Sequence, residues 1–296
     1  MFARPGLPSF EYVRASSAGE VVGLLQEHGL AARPLMGGTD LLPGLREGRL
    51  CPRLLVDVKS LPGMRELHYD HQAGLAVGAA VTMNELARDP NVRAHYPLLA
   101  QAAAAVASYQ VRNRATFGGN LCNASPCADT APAALVLEAE LALYGPGGER
   151  LVPAGEFFLG PGRTCLQPEE LMTAVRLPAP PPGNAARYLK LGRCRSGDLA
   201  LVGVAVLGFA SDAPSGYTFR IGLGSVAPTP IRAWQAEALL AENLPGEEAF
   251  SKAAELAVSA ASPITDVRGT AEYQRAMVRN LTLRGLHEVW ERLSGA

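Results

Sequence analysis

Apolar residues recur at helical spacing in two segments of the first third of the chain, and each segment follows a polar capping residue. In SSAGEVVGLLQEHG, residues 16–29, Ser17 and Glu20 have the spacing of a capping box ahead of an apolar run. TMNELARDP, residues 82–90, repeats the pattern with Thr82 and Glu85. The sequence therefore predicts a helix after each of these caps.

Short β-like runs lie between and after these helices. They read ARPLM (32–36), RLLVDV (53–58) and GLAVGAAV (74–81), and AELALYGPGGERLV (139–152) adds two such runs joined by a glycine-rich turn. This part of the chain is predicted to mix α and β structure.

The proline-rich stretch LPAPPPGN, residues 177–184, favours an extended, stiff segment and predicts a domain boundary. We expect a first domain over residues 1–177 and a second over 184–296, as the length of the chain also suggests. The second domain begins with three strand-like runs, of which LALVGVAVLGF (199–209) is apolar throughout, as a buried strand would be. Helical patterns follow over 231–243, 246–261 and 270–293, and they predict a small sheet packed on helices.

Composition and charge argue against several classes of partner. The chain has 296 residues with 27 Lys and Arg against 28 Asp and Glu, so it lacks the basic surface that DNA or an anionic membrane would attract. The N-terminus has no apolar signal segment, and the longest uncharged apolar run, 199–210, is too short to span a bilayer. We expect a cytoplasmic protein without a membrane span.

The five cysteines are scattered and include no C-x-x-C pair, which suits reduced thiols better than a disulfide framework or a zinc ribbon. Cys122 and Cys127 are close enough in sequence to raise the possibility of an iron–sulfur cluster. Such a cluster needs further ligands at short spacing, which the sequence lacks, so packing of a tight loop is the favoured interpretation.

Two adjacent-glycine motifs carry the candidate chemistry. RPLMGGTDLLPGL (33–45) and TFGGNLCNASPCAD (116–129) each place a glycine pair ahead of a helix-like segment. Glycine pairs let backbone N–H groups approach a pyrophosphate, and a helix start adds a favourable dipole. One pair alone is also consistent with a sharp turn that binds nothing. Two pairs in one domain favour a dinucleotide, although neither a P-loop nor the Rossmann fingerprint is present.

Polar residues around the second glycine pair could contact such a ligand. Thr116 and Asn120 can donate or accept at a phosphate or ring edge. Asp129 precedes a helix, where its carboxylate could either cap the backbone or accept from a ribose hydroxyl, and its position alone favours the cap.

Five segments in order resemble one known family. They read GGTDLL (37–42), TFGGNLCNASPCADTAPAAL (116–135), YLKLGRCRSGDLALVGVAV (188–206), GSVAPTPIRAWQAEALL (224–240) and PITDVRGTAEYQRAMVRNL (263–281). Together they resemble the FAD-binding medium subunit of the molybdenum hydroxylases, the xanthine and carbon monoxide dehydrogenase family. The resemblance implies an α+β fold, with two subdomains of the vanillyl-alcohol-oxidase type clasping FAD and a C-terminal domain of antiparallel sheet and helices.

The resemblance also implies roles for particular residues. Two loops would wrap the FAD pyrophosphate, the first formed by Pro34, Leu35, Met36, Gly37, Gly38, Thr39, Asp40 and Leu41, and the second by Thr116, Gly118, Gly119 and Asn120. Asp129 would contact the adenosine half of FAD, and Met172 would line the flavin pocket.

Val106 stands where some relatives place an aromatic ring against the flavin, and Tyr109 is the nearest aromatic residue. Lys190 would face the isoalloxazine edge, where a positive charge would stabilise the reduced flavin. On the sequence alone Lys190 is equally consistent with a solvated lysine on an edge strand.

The implied activity is electron transfer without a catalytic acid or base. Iron–sulfur clusters on a small subunit would receive electrons from a molybdenum cofactor on a large subunit, and FAD on this chain would pass them to NAD, a quinone or oxygen. The implied assembly is a dimer of heterotrimers. Two alternatives are a self-contained reductase of the UDP-N-acetylenolpyruvoylglucosamine reductase type and a scaffold subunit that has lost its flavin.

Overall fold

The structure of the protein is a computed structural model that describes residues 6–194 and 197–295. The strands are β1 Glu11–Arg14, β2 Ala32–Leu35, β3 Leu54–Asp57, β4 Leu67–Asp70, β5 Gly74–Gly78, β6 Glu140–Gly145, β7 Gly148–Pro153, β8 Phe158–Gly160, β9 Arg163–Thr164, β10 Leu171–Leu177, β11 Ala185–Leu191, β12 Val202–Ala210, β13 Tyr217–Gly224 and β14 Ile231–Arg232. The helices are α1 Ala18–His28, α2 Leu41–Arg46, α3 Met83–Arg88, α4 Pro90–His95, α5 Pro97–Ala105, α6 Tyr109–Arg112, α7 Phe117–Asn123, α8 Thr130–Val136, α9 Ala154–Phe157, α10 Trp234–Glu242, α11 Glu247–Ala260 and α12 Ala271–Ser294.

The chain begins with a small parallel sheet in the order β1-β3-β2. Strands β1 and β2 each pair with β3 and run parallel to it. Parallel strands need a crossover connection, and helix α1 forms the one between β1 and β2. Every residue of the central strand β3 is buried, because α1 packs on the sheet. The parallel pairing and strand β1 are not evident in the hydrophobic pattern of the sequence.

A five-stranded antiparallel sheet in the order β4-β5-β10-β6-β7 forms the second layer. Its hairpin β6–β7 confirms the two runs predicted over 139–152. Helices α3 to α8 lie in the sequence between β5 and β6, and the apolar faces of all of them except α6 share one core with both sheets. The second glycine motif falls at the start of α7, within this helical connection.

Strands β8 and β9 form a two-stranded antiparallel sheet. The C-terminal sheet, β11-β12-β13-β14, is antiparallel and packs on α10, α11 and α12. The α+β class and the antiparallel C-terminal sheet with helices are thereby confirmed. The proline-rich segment falls between β10 and β11, where Tyr96 donates a hydrogen bond to the carbonyl of Pro178 at 2.9 Å.

Strand β12 is buried on both faces because it lies between two cores. Ala205 and Leu207 point into the core that includes residues of β3, β5 and β10, and Val204 and Val206 point into the core under α10 to α12. Alternate residues of a strand face opposite sides of its sheet. The uniformly apolar sequence of this strand thus reflects a sheet covered on both sides, and the prediction of a buried strand is confirmed.

The predicted helix caps are present. Thr82 and Glu85 form both hydrogen bonds of a capping box at α3. At α1 the Ser17 hydroxyl accepts from the Glu20 amide, but the Glu20 carboxylate accepts from Ser16 instead of the Ser17 amide.

Among the described residues, no helix combines the length and the apolar character needed to cross a membrane.

Candidate functional site

A cavity of about 920 Å³ is lined by residues of both glycine motifs. This volume lies in the range of small-molecule and cofactor sites. Thirteen of the sixteen residues proposed from the sequence line it: Pro34, Met36, Gly37, Gly38, Thr39, Asp40, Leu41, Val106, Thr116, Gly119, Asn120, Asp129 and Met172. Leu35, Gly118 and Lys190 do not line it.

The first glycine loop presents unpaired backbone donors. Within the described residues, the amides from Met36 to Leu41 have no acceptor, whereas the neighbouring Leu42 amide bonds to the Gly38 carbonyl at 3.0 Å. Gly38 has a φ of 72°, a left-handed conformation that favours glycine. A run of free N–H groups bordering a cavity is the arrangement that an anion such as a pyrophosphate requires.

The two loops are in direct contact, and a glycine makes this possible. A Cβ atom at Gly37 would lie 2.2 Å from the carbonyl oxygen of Arg114 and 3.0 Å from Cα of Ala115. Both distances are shorter than a side-chain carbon tolerates against backbone. Gly37 is therefore needed for the close approach of the two loops, whatever they bind.

The amides of the second glycine pair are already hydrogen-bonded within the protein. The amides of Phe117 and Gly118 donate to the carbonyls of Val81 and Ala79, and the Gly119 amide donates to the Thr116 hydroxyl at 3.1 Å. A Cβ at Gly118 would lie 2.5 Å from Cβ of Ala79. Gly118 thus permits close packing on the segment after β5, which explains its absence from the cavity wall.

Asn120 supplies a polar group at the cavity from this motif. Its side-chain oxygen accepts from the Thr130 hydroxyl at 2.7 Å. With the oxygen facing Thr130, the Nδ2 group has no partner among the described residues and is a donor at the cavity that Asn120 lines.

Asp129 is buried and belongs to a polar cluster. Its two carboxylate oxygens accept from the Tyr188 hydroxyl and from the Lys190 ammonium, each at 2.8 Å. Asp129 lies at the N-cap position of α8, but its side chain makes no capping hydrogen bond. The capping interpretation is therefore wrong, because Tyr188 and Lys190 occupy the carboxylate.

Lys190 links three segments that border the cavity. Besides Asp129, its ammonium donates to the carbonyls of Ala105 at 2.9 Å and Asp198 at 3.0 Å. An ammonium has three donors, so all of them are used. The lysine side chain is 15% exposed, which excludes the interpretation of a solvated surface lysine. Its role at the isoalloxazine edge stays a prediction.

Tyr188 is a cluster member that the sequence reasoning missed. It lies two residues before Lys190 on β11, so both side chains project from the same face of the strand. This spacing is the signal that could have indicated a shared partner. Burial, and then the nearby Asp129 carboxylate, raise the pKa of Tyr188 well above its usual value. Burial also raises the pKa of Asp129, although Lys190 and Tyr188 act to lower it.

The apolar part of the cavity includes Val106 and Met172, which are 8% and 1% exposed. Tyr109, the aromatic alternative near Val106, does not line the cavity. Its ring is 43% exposed and lies under the Arg88 guanidinium, 5.0 Å from the ring centroid.

Cys122 and Cys127 have separate partners in the structure. Cys122 Sγ lies 3.9 Å from Met172 Sδ, and burial raises the pKa of the Cys122 thiol to about 12. Cys127 Sγ accepts from Arg268 Nη1 at 2.7 Å. Both environments are consistent with thiols that pack the loop.

Changing Cys122 and Cys127 together to alanine should leave the FAD and iron contents of the purified chain unaltered. The substitutions remove two sulfur atoms from packed positions, so we expect only a loss of roughly 1–2 kcal/mol in the free energy of unfolding. Metal analysis and the flavin absorbance test this expectation against Cys51→Ala at an exposed position. Iron that is present in the parent chain and lost from the double variant would support a cluster instead.

The sequence matches two family models. The model described as the FAD binding domain in molybdopterin dehydrogenase matches residues 8–180, which is more than half of the chain. The chain belongs to this family. A second model, the CO dehydrogenase flavoprotein C-terminal domain, matches residues 187–289. FAD is therefore the cofactor of this chain.

Individual members of the family align over almost the whole chain. The carbon monoxide dehydrogenase medium chain of Hydrogenophaga pseudoflava is 37% identical, covering 96% of this chain and 98% of the relative. A putative xanthine dehydrogenase FAD-binding subunit of Escherichia coli is 31% identical, with 94% of each chain covered.

Solved structures of the family have the same fold. A structure of the Hydrogenophaga pseudoflava carbon monoxide dehydrogenase superposes with a TM-score of 0.92 at 38% identity, covering 97% of this chain and 99% of the other. Quinoline 2-oxidoreductase from Pseudomonas putida 86 superposes with a TM-score of 0.90 at 29% identity, with 99% of each chain covered. This chain is accordingly an FAD-binding oxidoreductase subunit of the molybdopterin dehydrogenase type.

Proposed function

We propose that this chain is the electron-transfer subunit of a molybdenum hydroxylase complex, in which FAD connects iron–sulfur clusters on a partner subunit to a final acceptor. The observation that carries the proposal is the row of free amides from Met36 to Leu41 at a cavity of dinucleotide size. Its support is the alignment with medium chains over nearly the full length of the protein.

The residues of the cavity suit the parts of FAD. The first glycine loop would hold the pyrophosphate through its amides, and Asn120 Nδ2 would add a side-chain donor from the second motif. Val106 and Met172 offer apolar contacts for the flavin, and Asp129 contributes the polar wall that we assign to the adenosine half. The amides of the second glycine pair are already paired, so this motif would act through Asn120 and through its contact with Gly37.

When bound, FAD supplies the two-electron chemistry, and the chain needs no catalytic acid or base. The protein contributes orientation, exclusion of water and a defined electrostatic environment. We infer that a small iron–sulfur subunit and a large molybdenum-cofactor subunit complete the enzyme as a dimer of heterotrimers. NAD, a quinone or oxygen would reoxidise the flavin. The scattered cysteines, which include no C-x-x-C pair, support a cytoplasmic location.

The test is to purify the chain alone and together with the products of neighbouring genes. The isolated chain should be yellow, with about one FAD per polypeptide, and should copurify with an iron–sulfur subunit and a molybdenum subunit. Oxidation of the substrate by the complex should reduce FAD and bleach the flavin band, and the acceptor that restores the band identifies the final step. A colourless chain after incubation with FAD would favour a scaffold, and NADPH-dependent reduction of a UDP-sugar by the isolated chain would favour the self-contained reductase.

A further inference from the structure

One wall of the cavity is a strained turn whose carbonyls are all held by cations. The turn, Ala105–Val106–Ala107, follows helix α5, and Val106 and Ala107 line the cavity. Ala107 has a φ of 40°, a left-handed conformation that is uncommon for a residue other than glycine. Strained backbone of this kind persists where its surroundings fix it, and it is frequent at functional sites.

Two side chains and one backbone amide hold the turn; the amide is that of Gly197, which donates to the carbonyl of Ala107 at 3.1 Å. Lys190 donates to the carbonyl of Ala105 at 2.9 Å. Arg112 Nη1 donates to the carbonyls of Val106 at 2.8 Å and Ala107 at 3.2 Å. The carbonyls of three consecutive residues are therefore occupied by an ammonium and a guanidinium, which holds the wall in one position.

Arg112 is itself held by a buried amide. Its Nε donates to Asn84 Oδ1 at 3.1 Å, and Asn84 is 7% exposed. The Asn84 Nδ2 group in turn donates to the carbonyl of Tyr109 at 3.0 Å and to Asn113 Oδ1 at 2.7 Å. The planar fork of a guanidinium can reach Asn84 and both carbonyls at once, which a lysine ammonium cannot do with the same geometry.

The two cations differ in how their charge is balanced. Lys190 is paired with the Asp129 carboxylate at 2.8 Å. Arg112 contacts only neutral oxygens, and within the described residues no carboxylate lies at ion-pair distance from it. An arginine stays protonated in proteins. The guanidinium thus places a positive charge that no acid neutralises directly behind the Val106–Ala107 wall.

We propose that Arg112 is a positioning residue for FAD: it fixes the Val106–Ala107 wall against the flavin, and its charge favours the reduced cofactor. The inference rests on the proposed function, which assigns Val106 to the flavin. Arg112 does not line the cavity, so it acts through the two carbonyls and through its field.

The experiment compares Arg112→Met with Arg112→Lys in the full chain, and uses Arg93→Met at an exposed position of α4 as the control. Affinities for oxidised and for reduced FAD are measured by equilibrium titration, together with the thermal stability of the apoprotein. Arg112→Met should weaken the binding of oxidised FAD about tenfold, because the loss of charge-assisted hydrogen bonds has an effect of about this size. It should weaken the binding of reduced FAD by a further factor of about ten, because the nearby positive charge is lost as well.

Arg112→Lys should weaken both affinities but keep their ratio near that of the parent, because the charge remains while the fork is lost. Arg93→Met should change neither affinity. Two results would overturn the proposal and leave Arg112 a merely structural role. The first is an unchanged ratio of the affinities for oxidised and reduced FAD in Arg112→Met. The second is a loss of apoprotein stability while both FAD affinities stay at the parental values.

If Arg112→Met does not fold, Asn84→Ala provides the second measurement, because it releases the Arg112 Nε while the guanidinium remains. Asn84→Ala should weaken FAD binding, and parental affinity in a folded variant would count against the proposal. A parent chain that binds no FAD would refute the proposed function itself, whereas a parent that binds FAD while Arg112→Met behaves identically would refute only the role of Arg112.

Discussion

We expect the Gly37→Ala variant to bind FAD more weakly than the parent, although the substitution adds a single methyl group. That methyl would lie 2.2 Å from the carbonyl oxygen of Arg114, a backbone atom that cannot rotate away as a side chain could. The two glycine loops would have to separate, and the free amides from Met36 to Leu41 would move relative to Asn120. Overpacking of this kind costs roughly 1–3 kcal/mol, so FAD affinity should fall roughly 5- to 150-fold.

Gly23→Ala is the matched control for this experiment. Gly23 lies within α1, its backbone is not left-handed, and no atom lies near the position of its Cβ. Alanine there should leave FAD binding unchanged and raise the free energy of unfolding by about 0.5–1 kcal/mol, because glycine is unfavourable inside a helix. Titration of the apoproteins with FAD and chemical denaturation separate the two effects. Parental FAD affinity in Gly37→Ala would show that contact between the loops is not required.

The next residue of the first loop, Gly38, allows a second comparison. Gly38 has a left-handed φ of 72°, but its Cβ would first meet the Leu35 side chain, 3.1 Å away. A leucine methyl can move by a few tenths of an ångström. We therefore expect Gly38→Ala to retain weakened FAD binding, whereas Gly38→Val, with its branched side chain, should abolish FAD retention.

Local features of this chain were predictable from the sequence because their physical causes are local. Thr82 and Glu85 are three residues apart and form the capping box that their spacing indicates. The apolar run of β12 predicted a buried strand, and the structure places it between two cores. The two glycine motifs were assigned to one ligand, and both line one cavity.

The predictions that failed or stayed incomplete depend on contacts between residues distant in sequence. Asp129 has the sequence position of a helix cap, yet it bonds to Lys190, which is 61 residues away. Gly118 belongs to a motif that suggested a phosphate contact, but Ala79 approaches it too closely for any side chain. The pattern of hydrophobic residues carries no information on such pairings. The hydrogen bond from Arg112 to the carbonyl of Val106 could not be predicted for the same reason.

The second large effect is expected at the buried ion pair. Lys190→Met should lower the free energy of unfolding by about 3–5 kcal/mol, because it leaves the Asp129 carboxylate, 6% exposed, without its cation. The double variant Lys190→Met/Asp129→Asn removes the stranded charge, and its amide oxygen can still accept from the Tyr188 hydroxyl. We expect the double variant to be more stable than Lys190→Met alone. Additive losses in the double-mutant cycle would contradict a direct coupling of the two residues.

The loss of free energy of unfolding in Lys190→Met should also depend on pH. Burial already raises the pKa of Asp129, and removing the ammonium eliminates the largest influence that lowers it. A carboxyl group with a raised pKa in the folded state binds a proton more readily than in the unfolded state, so folding is favoured as the pH falls. The stability difference between parent and variant should therefore shrink from neutral toward acidic pH. Denaturation curves at several pH values test this, and a constant difference would indicate that Asp129 keeps its charge.

The midpoint potential of bound FAD in Lys190→Met then tests the electrostatic role of the lysine. An ammonium that faces the isoalloxazine and is not neutralised would favour the reduced flavin, and its loss would lower the potential by about 30 mV for each 1.4 kcal/mol. In the structure Asp129 neutralises the ammonium, and protonation of Asp129 in the variant would keep the net charge of the pair at zero. We therefore expect a shift smaller than about 30 mV in reconstituted Lys190→Met. A larger fall would show that Lys190 acts on the flavin directly and would restore the role implied by the family resemblance.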